Sequence, residues 1–156
     1  FLDFTKQRAL TFFEGEDEHG VKHLDVTVPY CPACREWLQA AAEDAGETCG
    51  PVATYLCAEG PRFETPAEIR MFKQWGADLV GMTGIPEVVL AREARMCYAS
   101  LCLVSNMAAG ISDSPITHYE VTELMDRRIA ALEAVLEAAI GRAEDDPSCA
   151  CRQPII

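Results

Sequence analysis

Three short stretches of this 156-residue chain concentrate side chains that can do chemistry. The first, Glu59-Gly60-Pro61-Arg62-Phe63-Glu64, ends in a carboxylate directly ahead of Thr65. The second, Met82-Thr83-Gly84, puts a hydroxyl just before a helix start, a position that suits an anion. The third, Ser105 to Gly110, carries the carboxamide of Asn106 among small residues. A carboxylate accepts hydrogen bonds, and a carboxamide both donates and accepts, so Glu64 and Asn106 can grip complementary edges of a polar ligand. Taken alone, they equally describe a helix-entry Glu beside its capping Thr and a turn Asn after a strand. The pairs Cys31-Pro32-Ala33-Cys34 and Cys149-Ala150-Cys151 offer zinc or thiol redox chemistry. Zinc wants two well-spaced pairs supplying four ligands. These two pairs lie at opposite ends of the chain, and the first sits at a helix entrance, so no metal is expected. No Ser-His-Asp or Cys-His arrangement has a clear signal.

The composition bounds the partners. Apolar residues make up 49% of the chain, a globular proportion, and the length suffices for one compact domain with a real core. A net charge of −12 makes duplex nucleic acid and anionic membranes poor partners, because like charges repel. No apolar run approaches the roughly 18 residues that span a bilayer, and no secretory pattern opens the chain. The eight cysteines include Cys57, Cys97 and Cys102 inside apolar stretches, where they read as small buried hydrophobes. A core of this size needs no disulfide staples, so a cytoplasmic location is expected. The start at Phe1, without Met, reads as processing or as part of a longer protein.

The elements that must position these residues alternate. The first 30 residues read as irregular, and residues 32–45 as a helix with Pro32 in its first turn and Gly46 as its stop. Val52 to Ala58 reads as a short apolar strand. Thr65-Pro66-Ala67-Glu68 is a capping box with Pro at the first helical position, opening a helix that ends near Gly76. Ala77 to Met82 reads as a buried strand, Pro86 opens a helix to about Arg95, and Cys97 to Val104 reads as a further strand. A last helix begins at Thr117-His118-Tyr119-Glu120 and keeps helical spacing through Ile140, and the tail from Glu144 reads as loose. Apolar strands alternating with helices argue an α/β sheet covered on both faces, with ligands beyond the carboxyl ends of its strands. All three chemical stretches fall there.

These stretches also carry a resemblance. Glu59-Gly60-Pro61-Arg62-Phe63-Glu64-Thr65-Pro66-Ala67-Glu68 is similar to the EGPRF-type signature of the purine nucleoside phosphorylase and methylthioadenosine phosphorylase family. Gly81 to Glu93 resembles the second signature of that family, and Ser105-Asn106-Met107-Ala108-Ala109-Gly110 falls where the third is expected. Weaker similarity extends to Phe12-Phe13-Glu14-Gly15 and Pro29-Tyr30-Cys31-Pro32.

The resemblance implies an α/β, phosphorylase-type three-layer fold with a central mixed sheet flanked by helices, lacking its N-terminal part. It implies phosphorolysis of a 6-oxopurine nucleoside such as inosine or guanosine, with inorganic phosphate as co-substrate and no metal or organic cofactor. Glu64 would accept the purine N1–H, Asn106 would donate to N7 or O6, and Phe63 would pack against the base. Met82 would lie under the ribose, His118 would bind the 5′-hydroxyl, and Thr83 would contact phosphate. Relatives acting on 6-aminopurines carry Asp where Asn106 stands and typically Ser where Glu64 stands, so this pair points to 6-oxopurines. The 5′ pocket separates inosine from 5′-methylthioinosine, and a phosphorylase for the methylthio nucleosides is the nearest alternative. The resemblance further implies a homotrimer or hexamer, whose site a neighbouring subunit completes through the loop near Phe13 to His19. It implies an N-terminal half carrying a glycine-rich phosphate loop and an Arg-His pair, without which the chain would be a non-catalytic lobe. In some thermophilic relatives a tail Cys-x-Cys like Cys149-Ala150-Cys151 is implied to form a disulfide.

Overall fold

A computed structural model of the chain describes residues 1–15, 20–112 and 118–153, with the backbone alone at His118 and Glu120. Its elements in order are β1 (Leu2–Phe4), α1 (Pro32–Asp44), β2 (Tyr55–Ala58), α2 (Pro66–Gln74), β3 (Leu79–Gly81), α3 (Gly84–Glu93) and α4 (His118–Gly141). A short 3-10 turn at Ala150–Arg152 follows.

The sheet has the order β1-β2-β3 with parallel pairing throughout. Leu2 stands opposite Leu56 and Phe4 opposite Ala58, while Tyr55 pairs with Leu79 and Cys57 with Gly81. Alternation along β2 sends successive side chains to opposite faces. Leu56 and Ala58 pack with Ile69 and Phe72 of α2, joined by Leu2 and Phe4. Cys57 packs on the other face with Ile85 and Val88 of α3. This is the layered arrangement, helix on each face of a sheet, that apolar runs in the sequence imply. A further cluster joins α1 to α4 through Ala41, Ala42, Val135 and Ala139, small residues that let the two helices approach closely.

Four sequence expectations need correction. The sheet was expected to be mixed, but the described strands are all parallel. The opening residues were expected to be irregular, yet Leu2–Phe4 add a strand to the edge beside β2. Cys97 to Val104 forms no strand among the described residues. Its apolar side chains instead serve helix packing: Leu101 joins the α1–α4 cluster, and the Tyr98 carbonyl accepts the Cys31 N–H at 2.8 Å. The tail is not loose throughout, since Cys151 is buried at 4% exposure. Of the apolar-run cysteines, Cys57 is fully buried as expected, Cys97 is half-buried and Cys102 is exposed. The second capping box begins at Thr117, which lies outside the described residues.

Helix α2 starts as its sequence dictates. The Thr65 hydroxyl accepts the Glu68 N–H at 3.2 Å, and the Glu68 carboxylate accepts the Thr65 N–H at 2.7 Å. Arg62 adds a two-pronged ion pair to the same carboxylate at 2.8 and 2.7 Å. Hydrogen bonding from Arg62, then from the Thr65 backbone, holds the Glu68 carboxyl down at about 2 against its ordinary 4.5. A lowered carboxyl favours the folded state above the ordinary value and loses that contribution as pH falls through the folded one. Thr65→Ala is therefore expected to cost about 1 kcal/mol in urea unfolding at pH 7, with Thr65→Ser close to the parent. Glu68→Gln should flatten the stability loss between about pH 4.5 and 2, read in the same titration.

Candidate active site

The carboxyl ends of β2 and β3 are drawn together by contacts that only small residues permit. Gly60 follows β2 with φ +72°, and a Cβ there would stand 2.8 Å from the Met82 sulfur. Met82, just beyond β3, thus lies against the Gly60 backbone. Tyr55 is wedged between two glycines: a Cβ at Gly81 would fall 2.2 Å from its hydroxyl, and one at Gly84 would fall 2.9 Å from its ring. The same hydroxyl accepts the Thr83 N–H at 3.3 Å. Gly110 closes the third side, where a Cβ would meet Pro66 at 2.6 Å. The Ser105–Gly110 stretch is therefore seated on the first turn of α2, with Ala108 and Ala109 packed against the α2 face of the core.

Two ion-bearing residues that sequence reading passed over fix this arrangement. Arg8 donates to the carbonyls of Glu59 at 3.1 Å and Ala58 at 3.4 Å, and to the carbonyl of Ile85, while its Nε lies 3.4 Å from the Glu59 carboxylate. One guanidinium so ties the end of β2 to the start of α3. Glu93, only 7% exposed, accepts the Thr11 hydroxyl at 2.6 Å and the Phe12 N–H at 2.7 Å. It anchors the opening segment to the far end of α3. Neither residue has a helical or strand partner at a telling spacing, because Arg8 reaches across 49 to 77 positions and Glu93 across 81 and 82.

A cavity of about 310 Å³ opens beyond β2, at the lower end of the range of roughly 300–1,000 Å³ typical of small-molecule sites. Its walls include Lys6, Glu59, Gly60, Arg62, Glu64 and Glu68. Glu68 is engaged by Arg62 and Thr65, and Glu59 by Arg8 and the Lys6 N–H. Glu64, by contrast, makes no hydrogen bond among the described residues and is half-buried. Of the wall carboxylates Glu59, Glu64 and Glu68, it is the one without a hydrogen-bond partner among the described residues, although the Arg62 guanidinium acts on its charge.

None of the other expected residues with a described side chain lines this cavity. Asn106 is half-buried; its Oδ1 accepts the Ser105 hydroxyl at 2.7 Å, and its Nδ2 donates to the Met107 carbonyl at 2.9 Å. These bonds hold the amide plane and leave its second N–H uncommitted. Phe63 is 44% exposed and does not line the cavity. Thr83 precedes α3 with no side-chain capping bond, so its hydroxyl stays exposed. His118 opens α4, but its side chain lies outside the described residues, as do residues 16–19 of the loop expected to reach a neighbour. The cysteines depart most from expectation. All eight are free, so Cys149 and Cys151 form no disulfide. Moreover, the thiols of Cys31, Cys97, Cys149 and Cys151 converge to within 4.8 Å of one another, which removes the argument from sequence distance against a metal.

A parallel sheet with both faces covered, and a polar cavity with glycine-tightened loops beyond its carboxyl ends, defines the α/β class that binds small ligands at that edge. Residues 1–141 match the family model of the phosphorylase superfamily, and the chain belongs to that superfamily. It is 48% identical over 155 residues to a probable 6-oxopurine nucleoside phosphorylase of Dictyoglomus turgidum, covering 99% of this chain and 58% of that protein. It is 51% identical over 155 residues to a probable S-methyl-5′-thioinosine phosphorylase of Methanopyrus kandleri, covering 99% and 59%. The crystal structure of a methylthioadenosine phosphorylase from an Antarctic soil metagenomic library matches with a TM-score of 0.85 at 31% identity, covering 99% of this chain and 56% of that one. The chain thus spans somewhat more than half the length of the relatives it matches, and its layered sheet is the phosphorylase-type fold.

The Tyr55 wedge gives a direct test of how the site is held. Gly81→Ala is expected to destabilise the protein by about 1–3 kcal/mol, because the new methyl overlaps the Tyr55 ring. Adding Tyr55→Phe removes the nearest clash and should recover part of that loss. Additive effects of the two changes in a double-mutant cycle would show that the wedge is not the cause.

Proposed function

We propose that this chain is the base-recognising part of a purine nucleoside phosphorylase acting on 6-oxopurine nucleosides such as inosine and guanosine. The observation that carries the reading is the uncommitted Glu64 carboxylate on a ligand-sized cavity at the carboxyl end of β2. The name of the Dictyoglomus turgidum relative supports the substrate class.

In phosphorolysis a phosphate oxygen bonds to the anomeric carbon as the bond from that carbon to the purine breaks. The electron pair of the broken bond moves into the purine ring, which takes a proton from solvent to become the free base, while the attacking hydrogen phosphate gives one up and the sugar becomes ribose 1-phosphate. Glu64 accepts the N1–H that a 6-oxopurine carries. The second N–H of Asn106 donates at N7 or O6, where the leaving charge gathers, and donors aimed at developing charge are what lower such a barrier. Asn106 is in this sense the catalytic residue. Phe63 packs against the base, Met82 lies under the ribose, His118 binds the 5′-hydroxyl, and Thr83 contributes to the phosphate grip. Inorganic phosphate is a co-substrate, and no metal or organic cofactor takes part in the reaction. The rest of the phosphate site comes from an N-terminal half of the same protein, in keeping with the share of each relative that this chain spans. Active assembly is a homotrimer or hexamer in the cytoplasm. The exposed apolar side chains of Ile129, Leu136 and Ile140 on α4 give such an assembly a surface to cover. No helix among the described residues is long and apolar enough to cross a membrane.

The name of the Methanopyrus kandleri relative favours a second reading, in which S-methyl-5′-thioinosine is the nucleoside cleaved. Both readings need the same base pocket and differ at the 5′ end of the sugar. Kinetics on the full-length protein separate them: a higher kcat/KM on inosine than on methylthioinosine supports the first, and the reverse supports the second. Asn106→Asp is expected to lower kcat/KM on inosine by roughly 5–150-fold, the effect of leaving about 1–3 kcal/mol of polar pairing unmet. The same change should raise the adenosine-to-inosine ratio, since an ionised Asp repels O6 and lacks a donor. An unchanged ratio would remove Asn106 from its role. Calorimetry showing hypoxanthine binding with no phosphorolysis by the full-length protein would favour a non-catalytic purine-binding module.

A further inference from the structure

We propose that Cys31, Cys97, Cys149 and Cys151 form a closed four-sulfur site for a structural zinc ion, which clamps the chain's tail onto the start of α1. The four thiols come from three separated segments. Cys31 is fully buried at the N-cap of α1, Cys97 follows α3, Cys149 caps the 3-10 turn near the tail and Cys151 lies within it. That turn brings both tail thiols to bear on one point. The Cys149 sulfur lies 3.9 Å from that of Cys31 and 3.5 Å from that of Cys97, and all four sulfurs fall within 4.8 Å of one another. A tetrahedral zinc with arms of ~2.3 Å sets its sulfurs ~3.8 Å apart. The thiols thus already mark the corners such an ion requires, with shifts of an ångström or less.

The donor set selects the ion. No carboxylate or imidazole belongs to the group, which excludes the hard cations magnesium and calcium and favours zinc among the soft ones. Four protein ligands leave no position for water, so the site is structural, and none of the four cysteines lines the cavity beyond β2.

A divalent cation is what allows four thiolates to lie this close, since its charge offsets their mutual repulsion. On binding, four S–H bonds give way to four zinc–sulfur bonds, and the displaced protons pass to solvent. The Cys34 N–H then supports the Cys31 sulfur from behind, as outer partners of metal ligands commonly do.

The test uses the full-length protein carrying this chain, produced without added zinc and purified anaerobically with reductant and no chelator. Elemental analysis should find roughly one zinc per chain. Replacement by cobalt(II) should give the intense thiolate-to-metal charge-transfer bands of a tetrahedral sulfur site, a readout that needs no variant. Cys97→Ser and Cys149→Ser should lose the metal, while Cys102→Ser, at an exposed cysteine outside the cluster, should keep it. Reduced protein that takes up neither zinc nor cobalt when titrated would overturn the proposal. So would a tightly bound zinc that survives the Cys97 and Cys149 changes. Disulfides among these four cysteines, coupled with no metal uptake after their reduction, would identify the cluster as a redox staple and equally overturn it.

Discussion

Strand β2 is walled on both faces, by Ile69 and Phe72 of α2 against Leu56 and Ala58 and by Ile85 and Val88 of α3 against Cys57. Four residues of strand so control two helices, and each of those helices begins at the edge where the candidate site lies. Because the side chains on both faces are close-packed, the end of β2 cannot shift without moving one helix or the other. Arg8 adds a polar lock at the same point by binding the last carbonyls of β2 and the Ile85 carbonyl together. Glu64 then projects from a short connection between two fixed elements, which is how a carboxylate on a loop can hold a defined position. The proposed base discrimination would demand precise placement of this kind, since a misplaced acceptor loses the contrast between a matched and an unmatched purine edge.

Much of this was legible in the sequence wherever local chemistry settles the matter. The Thr65–Glu68 box and Pro66 mark the start of α2 to the residue, and the apolar runs locate β2 and β3. The run at Cys97 to Val104 misleads because a continuous apolar stretch only demands burial. A strand satisfies that demand with a partner strand, and this segment satisfies it by packing Leu101 against α1 and α4. β1 escaped notice for the opposite reason: three residues carry too little pattern to register, and pairing with β2 supplies what the sequence alone does not show.

The candidate site divides along the same line. Glu64 and the three polar or glycine-rich stretches stand out because their residue types are out of place in a closed core. Arg8 and Glu93 do not, since a single charge in a polar segment looks like solvated surface until the fold brings its partner across. The cysteines failed more instructively. Separation along the chain says nothing about separation in space once a tail folds back, and Cys31 and Cys149 meet across 118 positions.

Gly110 bears on how this protein can change over time. Its backbone has φ +76°, and a side chain there would run into Pro66. The stretch from Asn106 to Gly110 is consequently a bridge of fixed span, pinned at one end by its seat on α2. Inserting or deleting a residue within it would shift the Asn106 amide relative to the first turn of α2. Divergence at this edge of the fold is therefore confined to exchanging side chains at constant loop length.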